Sequence, residues 1–321
     1  MRYKDRQMKI VFFSGRFKNK RASHRLRGEL MANTLANMGY NATCGRSLEG
    51  VDADTTVVFL KNSQPTDILE AKRLGAHTIY DLCDNKFDEK EEYEPCCAAA
   101  DAITVNSEQM GISVKETTGR DSTVIPDPAE RPVLEPGFAP GNDVKLLWFG
   151  SSASLKFVPW VELWQQLESQ IKNYQFTIIT AKADRIKNKM IERQRRGVFS
   201  GVNFDRLHFV EWDWELQGQL LSATDIVFIP VVHTNYRTDT KSANRLIDGL
   251  MSGRFVITTP LASYVEFEAW TWQQQDLMLG IRWAREHPGK TLQKIQAGQQ
   301  HTIENYSPVA IAQRWLGVMR G

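Results

Sequence analysis

Lys241-Ser-Ala-Asn-Arg-Leu-Ile-Asp-Gly-Leu-Met-Ser-Gly-Arg-Phe-Val-Ile-Thr-Thr-Pro260 reads as a helix, a stop and a strand in direct succession. Leu246, Leu250 and Met251 fall on one helical face, which predicts an amphipathic helix with that face turned to a core. Gly253 supplies a C-terminal stop. Phe255-Val-Ile-Thr258 then runs without polar alternation, the pattern of a strand covered on both faces, as in a parallel sheet between helices.

The same unit recurs along the chain. Strand-like runs are expected at Ile10–Phe13, Thr56–Leu60, Thr78–Tyr80, Ala102–Val105 and Thr123–Ile125. After these come Val144–Phe149, Phe176–Ile179, Leu207–Val210, Asp225–Ile229 and Phe255–Thr258, with helical patterns between them. Alternating strand and helix predicts an α/β chain of doubly wound units. The stretch Pro-Asp-Pro-Ala-Glu-Arg-Pro-Val-Leu-Glu-Pro-Gly-Phe-Ala-Pro-Gly-Asn over 126–142 holds five of the twelve prolines, so it reads as a stiff linker. The expected division is an N-terminal Rossmann-like domain over 1–130, a linker over 131–143, a second Rossmann-like domain over 144–305 and a closing helix over 306–321. Ligands of such sheets bind beyond the carboxyl ends of the strands, so two such domains are expected to face each other across a cleft.

Composition narrows the class. At 321 residues, 42% hydrophobic and 24% charged, the chain is globular rather than disordered or collagenous. Its longest apolar run, Ile226 to Val232, is far short of the ~20 residues needed to span a bilayer. Cys44, Cys83, Cys96 and Cys97 lack C-x-x-C spacing, and no secretory leader is apparent. Free thiols in a reducing, cytoplasmic setting are the plain reading. Grouping Cys83, Cys96, Cys97 and His77 as zinc ligands fails on spacing, so no metal site is expected. The net charge is +2, but residues 1–30 carry ten Lys or Arg against Asp5 and Glu29. That segment implies an anionic partner: a phosphorylated substrate, an anionic lipid surface met peripherally, or nucleic acid. No aromatic and basic residues interleave near it, which makes nucleic acid the less favoured of the three.

Four stretches carry chemistry. After the first strand come Ser14-Gly15-Arg16 and a helix with Leu26, Leu30, Met31, Leu35 and Met38 on one face, Ser23 as its N-cap and Gly39 as its stop. Arg25 and Arg27 at that helix start would hold an anion. Tyr80-Asp-Leu-Cys-Asp84 closes a strand, and Asp81 and Asp84 there suit a turn, a hydroxyl or a metal ion. Gly150-Ser-Ser-Ala-Ser-Leu-Lys156 is a small-residue loop whose backbone can approach a phosphate, with Lys156 as a point charge. It is neither a Walker A loop nor G-x-G-x-x-G. Finally, Ser242, Asn244, Arg245 and Asp248 present hydroxyl, amide, cation and carboxylate within two turns of the opening helix.

These stretches together resemble GT-B glycosyltransferases, and retaining glycosyltransferase family 4 in particular. Asp248 stands where that family has a Glu five residues before a glycine, and Gly253-Arg-Phe-Val-Ile257 is similar to its G-x-P-V-I strand. Ser23-His-Arg-Leu-Arg-Gly-Glu29, Ala100-Asp-Ala-Ile-Thr-Val-Asn-Ser107, Val124-Ile-Pro-Asp127 and Tyr306-Ser-Pro-Val-Ala-Ile-Ala-Gln-Arg-Trp315 resemble further family segments. Thr240 departs from the first Glu of the family's Glu-x7-Glu pair, Ser151 replaces a basic residue, and His233–Asp239 is an insertion.

The resemblance implies transfer of a sugar from a nucleoside-diphosphate sugar, with retention, without metal or other cofactor. It implies catalytic roles for Lys156, Arg245 and Asp248. Donor contacts would come from Gly150, Ser151, Ser152, Lys241, Ser242, Asn244, Arg245 and Asp248. Acceptor contacts would come from Gly15, Arg16, Arg25, Arg27, Asp81 and Asp84. A sugar-nucleotide epimerase or hydrolase would share these features. So would a non-catalytic sugar-nucleotide or glycan-binding protein or inactive partner subunit, to which Thr240 lends weight.

Overall fold

The computed structural model describes residues 8–15, 22–61, 63–231 and 239–320. The calls on Arg16, on the basic residues before Met8 and on most of the 233–239 insertion lie outside the described residues. The chain divides into two compact units. The first comprises Met1–Glu130, Asn235–Ala243 and Glu304–Gly321; the second comprises Arg131–Thr234 and Asn244–Ile303.

The first unit holds six strands: β1 (Lys9–Phe13), β2 (Asn41–Gly45), β3 (Thr55–Leu60), β4 (His77–Leu82), β5 (Ala102–Val105) and β6 (Thr123–Val124). They run in the order β2-β1-β3-β4-β5-β6, every pair parallel. The second holds β7 (Val144–Phe149), β8 (Tyr174–Thr180), β9 (Leu207–Glu211), β10 (Ile226–Ile229), β11 (Phe255–Thr258) and β12 (Trp272–Gln273). Their order is β12-β11-β10-β7-β8-β9, again parallel throughout. All ten strands expected from apolar runs are present within about two residues, the usual scatter of element ends. β2 and β12 were not foreseen. β2 is an edge strand with polar Asn41 and Thr43, and β12 is two residues long, so neither carries a continuous apolar signature.

Each sheet has its own core. Val57, Phe59, Tyr80, Leu82 and Val105 are buried in the first. In the second, Trp148, Trp160, Trp164 and Phe176 form a contiguous aromatic group. The ring centroids of Trp160 lie 5.7 Å from Trp148 and 5.1 Å from Trp164. Edge-to-face and tilted contacts of this kind add to the burial of large aromatic surfaces.

Two sequence expectations are corrected here. Residues 131–143, expected as a stiff linker between the domains, pack as part of the second unit. The Arg131 guanidinium lies 3.5 Å over the Trp214 ring and donates to the Trp214 carbonyl at 2.7 Å. Leu134 N–H donates to Met251 O, and Gly137 N–H to Gly253 O. Proline removes donors only at its own positions, so the residues between prolines still pair. Ser23 is not the N-cap of the first helix, which already includes Ala22. That helix runs through Ala22–His24, a π-helical turn at Arg25–Glu29 and Leu30–Asn37. Leu26, Arg27 and Gly28 are buried in succession within that wider turn. The closing helix, Pro308–Met319, belongs to the first unit, where Trp315 packs edge-on against Phe12 at 5.6 Å. Among the described residues no helix is long and apolar enough to cross a membrane.

Candidate active site

In the second unit the chain passes from β7 outward through β8 and β9, then returns to the other side of β7 with β10 and continues outward. At such a reversal, beyond the carboxyl ends of β7 and β10, open α/β sheets bind ligands. Gly150 follows β7 directly, and the helix Asn244–Met251 precedes β11.

Gly150 donates its backbone N–H to Ile179 O at 3.1 Å. A Cβ at this position would lie 3.1 Å from Trp148 Cη2 and 3.6 Å from Arg245 Nη1. The buried Trp148 ring cannot readily yield, so glycine keeps this backbone bare beside the arginine. The Arg245 guanidinium sits 5.8 Å from the Trp148 ring centroid. Burial raises the pKa of Tyr264, and Arg245 partly offsets that rise. Arg245 is half-buried, and no carboxylate among the described residues pairs with it. A half-buried guanidinium that no described carboxylate offsets is well placed to take an anion.

Asp248 lies one turn further along the helix and is buried. Gly249 lets this helix approach the sheet closely, since a Cβ there would meet Val256 Cγ2 at 2.9 Å. Ser151 and Ser154 share a hydrogen bond of 2.9 Å between hydroxyls at the start of the 3-10 turn Ser152–Phe157. Lys156 is exposed in that turn, its ammonium 4.9 Å from the Phe157 ring centroid, and no carboxylate among the described residues pairs with it. Thus Gly150 and Arg245 are brought together. Asn244 and Asp248 share their unit, whereas Lys241 and Ser242 group with the first unit. Thr240, where the resembled motif has Glu, is buried, and its carbonyl accepts from Ser107 Oγ at 3.2 Å.

The first unit treats its candidates differently. Arg27 is fully buried; its Nε and Nη2 donate to Asp81 at 2.7 and 2.6 Å. Its Nη1 donates to Asp127 at 3.0 Å and to Ile125 O at 2.8 Å. Burial alone would lower its pKa, but Asp81 and then Asp127 outweigh that and hold it above the ordinary value. Thr104 Oγ1 also donates to Asp81 at 2.7 Å. Arg27 and Asp81 are therefore spent on each other and tie the first helix to β4, β5 and the end of β6. They are not an open anion contact and a free carboxylate. Arg25 is engaged too, with its fork on Glu130 at 2.7 and 3.0 Å. Asp84 is half-exposed and paired with Lys61, which follows β3. Gly15 closes β1 with φ of 52°. Sequence reasoning missed Lys61, Trp148 and Tyr264. A charged residue closing the apolar run Val57–Leu60 was the available signal for Lys61. The other two read as core aromatics, which they also are.

No family model matches the chain, and no curated protein sequence matches it. Solved structures do. The chain is similar to HepE of Anabaena, solved with UDP and glucose, at a TM-score of 0.68 and 12% identity, covering 98% of this chain and 99% of that one. Sucrose-phosphate synthase of Thermosynechococcus elongatus gives 0.66 at 12% identity, covering 98% of each chain. TarM of S. aureus, solved in a complex that includes UDP, gives 0.62 at 13% identity; that match covers 85% of this chain but only 57% of TarM. With two parallel Rossmann-like sheets and near-complete coverage of the first two proteins, the chain has the GT-B fold.

Proposed function

We propose that this protein is a glycosyltransferase that moves a sugar from a nucleoside-diphosphate sugar to an anionic acceptor or an acceptor on an anionic surface. The observation that carries this reading is the Arg245 guanidinium, which no carboxylate among the described residues pairs with, beside the bare Gly150 backbone at the switch point of the second sheet. Structurally similar proteins solved with UDP support a nucleotide donor.

In this reading the diphosphate lies along Gly150, Ser151 and Ser152. Arg245 and Lys156 meet the negative charge that develops on the departing phosphate. Fixed donors of this kind act without reorganisation during bond cleavage. Asn244 and Asp248 hold ribose or sugar hydroxyls. Transfer proceeds with retention and without metal, the donor phosphate taking the acceptor proton. Gly15, Arg16, Arg25 and Asp84 contact the acceptor, while Arg27 and Asp81 hold the frame behind them.

A thermal-shift screen of nucleoside diphosphates and their sugars tests the donor assignment. A ligand at 100 times its Kd stabilises by about 2.7 kcal/mol, a readily visible shift. Absence of a shift with every nucleotide would refute it. Thr240 in place of Glu favours a second reading, a non-catalytic sugar-nucleotide-binding protein. A nucleotide-dependent shift without acceptor-dependent release of nucleoside diphosphate would select that reading.

A further inference from the structure

The helix Ala183–Arg195 follows β8 in the second unit. Residues 182–196 hold seven Lys or Arg against Asp184 and Glu192, in a chain whose net charge is +2. The inner side of the helix is spent on the core: Ala183 and Met190 are buried, and Ile186 packs against the same cluster as Met190. All seven basic side chains are exposed. At 3.6 residues per turn, Arg185, Lys189, Arg193 and Arg196 fall within about 80° of the helix circumference, and Asp184 and Glu192 lie outside that sector. Arg196 pairs with Glu192, and the Arg193 guanidinium lies 5.4 Å from the Phe199 ring centroid. No carboxylate among the described residues pairs with Arg185, Lys187, Lys189, Arg193 or Arg195. Glu211 caps the helix start, its two oxygens accepting from Lys182 N–H and Ala183 N–H at 2.8 Å each.

Helix stability does not call for this stripe. Arg185 and Lys189, and Lys189 and Arg193, are like charges four residues apart, a spacing that destabilises a helix. The helix dipole favours Arg193 and Arg196 at the end but disfavours Arg185 in the first turn. A row of cations about 6 Å apart, kept against local repulsion, is the electrostatic footprint of a polyanionic partner.

We propose that this stripe docks the second unit on a bilayer surface bearing anionic phosphodiester headgroups. Residues 182–196 contain no aromatic side chain on which nucleic-acid bases could stack. With its inner side packed on the sheet, the helix also lacks the free circumference to enter a major groove about 8.5 Å deep. A headgroup layer asks only for exposed charge, which a cluster of Lys and Arg on an amphipathic helix supplies. The apolar side of this helix is buried, so the contact is with headgroups and not with acyl chains. The proposal goes beyond the transfer reading and stands without it, since no nucleotide takes part.

The test is sedimentation of the full chain with vesicles of equal parts phosphatidylcholine and phosphatidylglycerol, with phosphatidylcholine vesicles as the uncharged reference. The wild type should bind the mixed vesicles alone and leave them at about 1 M salt, where the Debye length is about 3 Å. A Lys or Arg near such a surface is worth about fivefold in binding, so Arg185→Gln/Lys189→Gln/Arg193→Gln should bind about 100-fold more weakly. Lys115→Gln/Lys172→Gln/Lys290→Gln removes the same charge from scattered exposed positions and should bind within about threefold of wild type. A wild type that stays in the supernatant of the mixed vesicles, or two triple variants that bind alike, would overturn the proposal. A fluorescent single-stranded oligonucleotide is the second probe. Stripe-dependent binding of it, with none to vesicles, would assign the stripe to nucleic acid and overturn the proposal as well. Should the stripe variant fail to fold, Arg185→Gln/Lys189→Gln takes its place, with an expected loss of about 25-fold and the same outcomes.

Discussion

Replacing Arg27 by methionine separates a scaffold role from a ligand-binding one. Arg27 and Asp81 have side-chain exposures of 1% each, and Asp127 of 7%. The substitution keeps most of the side-chain volume, so the main loss is electrostatic. It leaves Asp81 with the Thr104 hydroxyl as its remaining side-chain donor among the described residues and strips Asp127 of its Arg27 cation. Breaking a buried ion pair by removing one partner costs about 3–5 kcal/mol, because the remaining charge is left without compensation. A domain of ordinary stability has only about 5–15 kcal/mol to lose. In urea, with a slope of about 2 kcal/mol/M, the unfolding midpoint of the first unit should fall by roughly 2 M, followed by far-UV ellipticity. Adding Asp81→Asn to Arg27→Met should restore part of the loss, because a buried charge is removed with its partner. An unchanged midpoint, together with weakened acceptor binding, would refute the reasoning and return Arg27 to the ligand.

Lys156→Ala should lower turnover by about 10²–10³-fold if the ammonium meets transition-state charge. Its exposure should keep the stability change within about 0.5 kcal/mol. Near-wild-type turnover in the folded variant would remove Lys156 from the site. Cys44, Cys83, Cys96 and Cys97 are each pushed up to about 12 from 9.0, foremost by burial. The unfolded chain therefore releases these protons first as pH rises. Their contribution to stability is full below about pH 9 and falls between about 9 and 12. The urea midpoint should drop between about pH 8 and about pH 10, and a rise would contradict the assignment.

Most of the architecture was legible because buried parallel strands announce themselves as continuous apolar runs, as in Val144–Phe149 and Phe255–Thr258. The edge strand Asn41–Gly45 escaped notice because its polar residues face a different environment from that of a central strand. Gly150 and Arg245 were legible as types of residue in the right segments. Their proximity was not, since 95 residues of chain separate them and only the return of β10 beside β7 brings them together. The fate of Arg27 was hidden for the same reason: sequence shows a cation at a helix start, but its acidic partners lie 54 and 100 residues away. The π-helical turn that buries it leaves no recognisable mark in Arg25-Leu-Arg-Gly-Glu29.

The central claim is that nucleotide binds at the switch point of the second sheet. Amide hydrogen exchange with and without saturating nucleoside diphosphate tests this most directly. Protection should appear over Gly150–Phe157 and at the start of the Asn244–Met251 helix, and should vanish in Arg245→Ala under the same ligand concentration. Protection confined to Ser14–Gly15 and the Arg25–Glu29 turn of the first unit, with none after β7, would contradict the account.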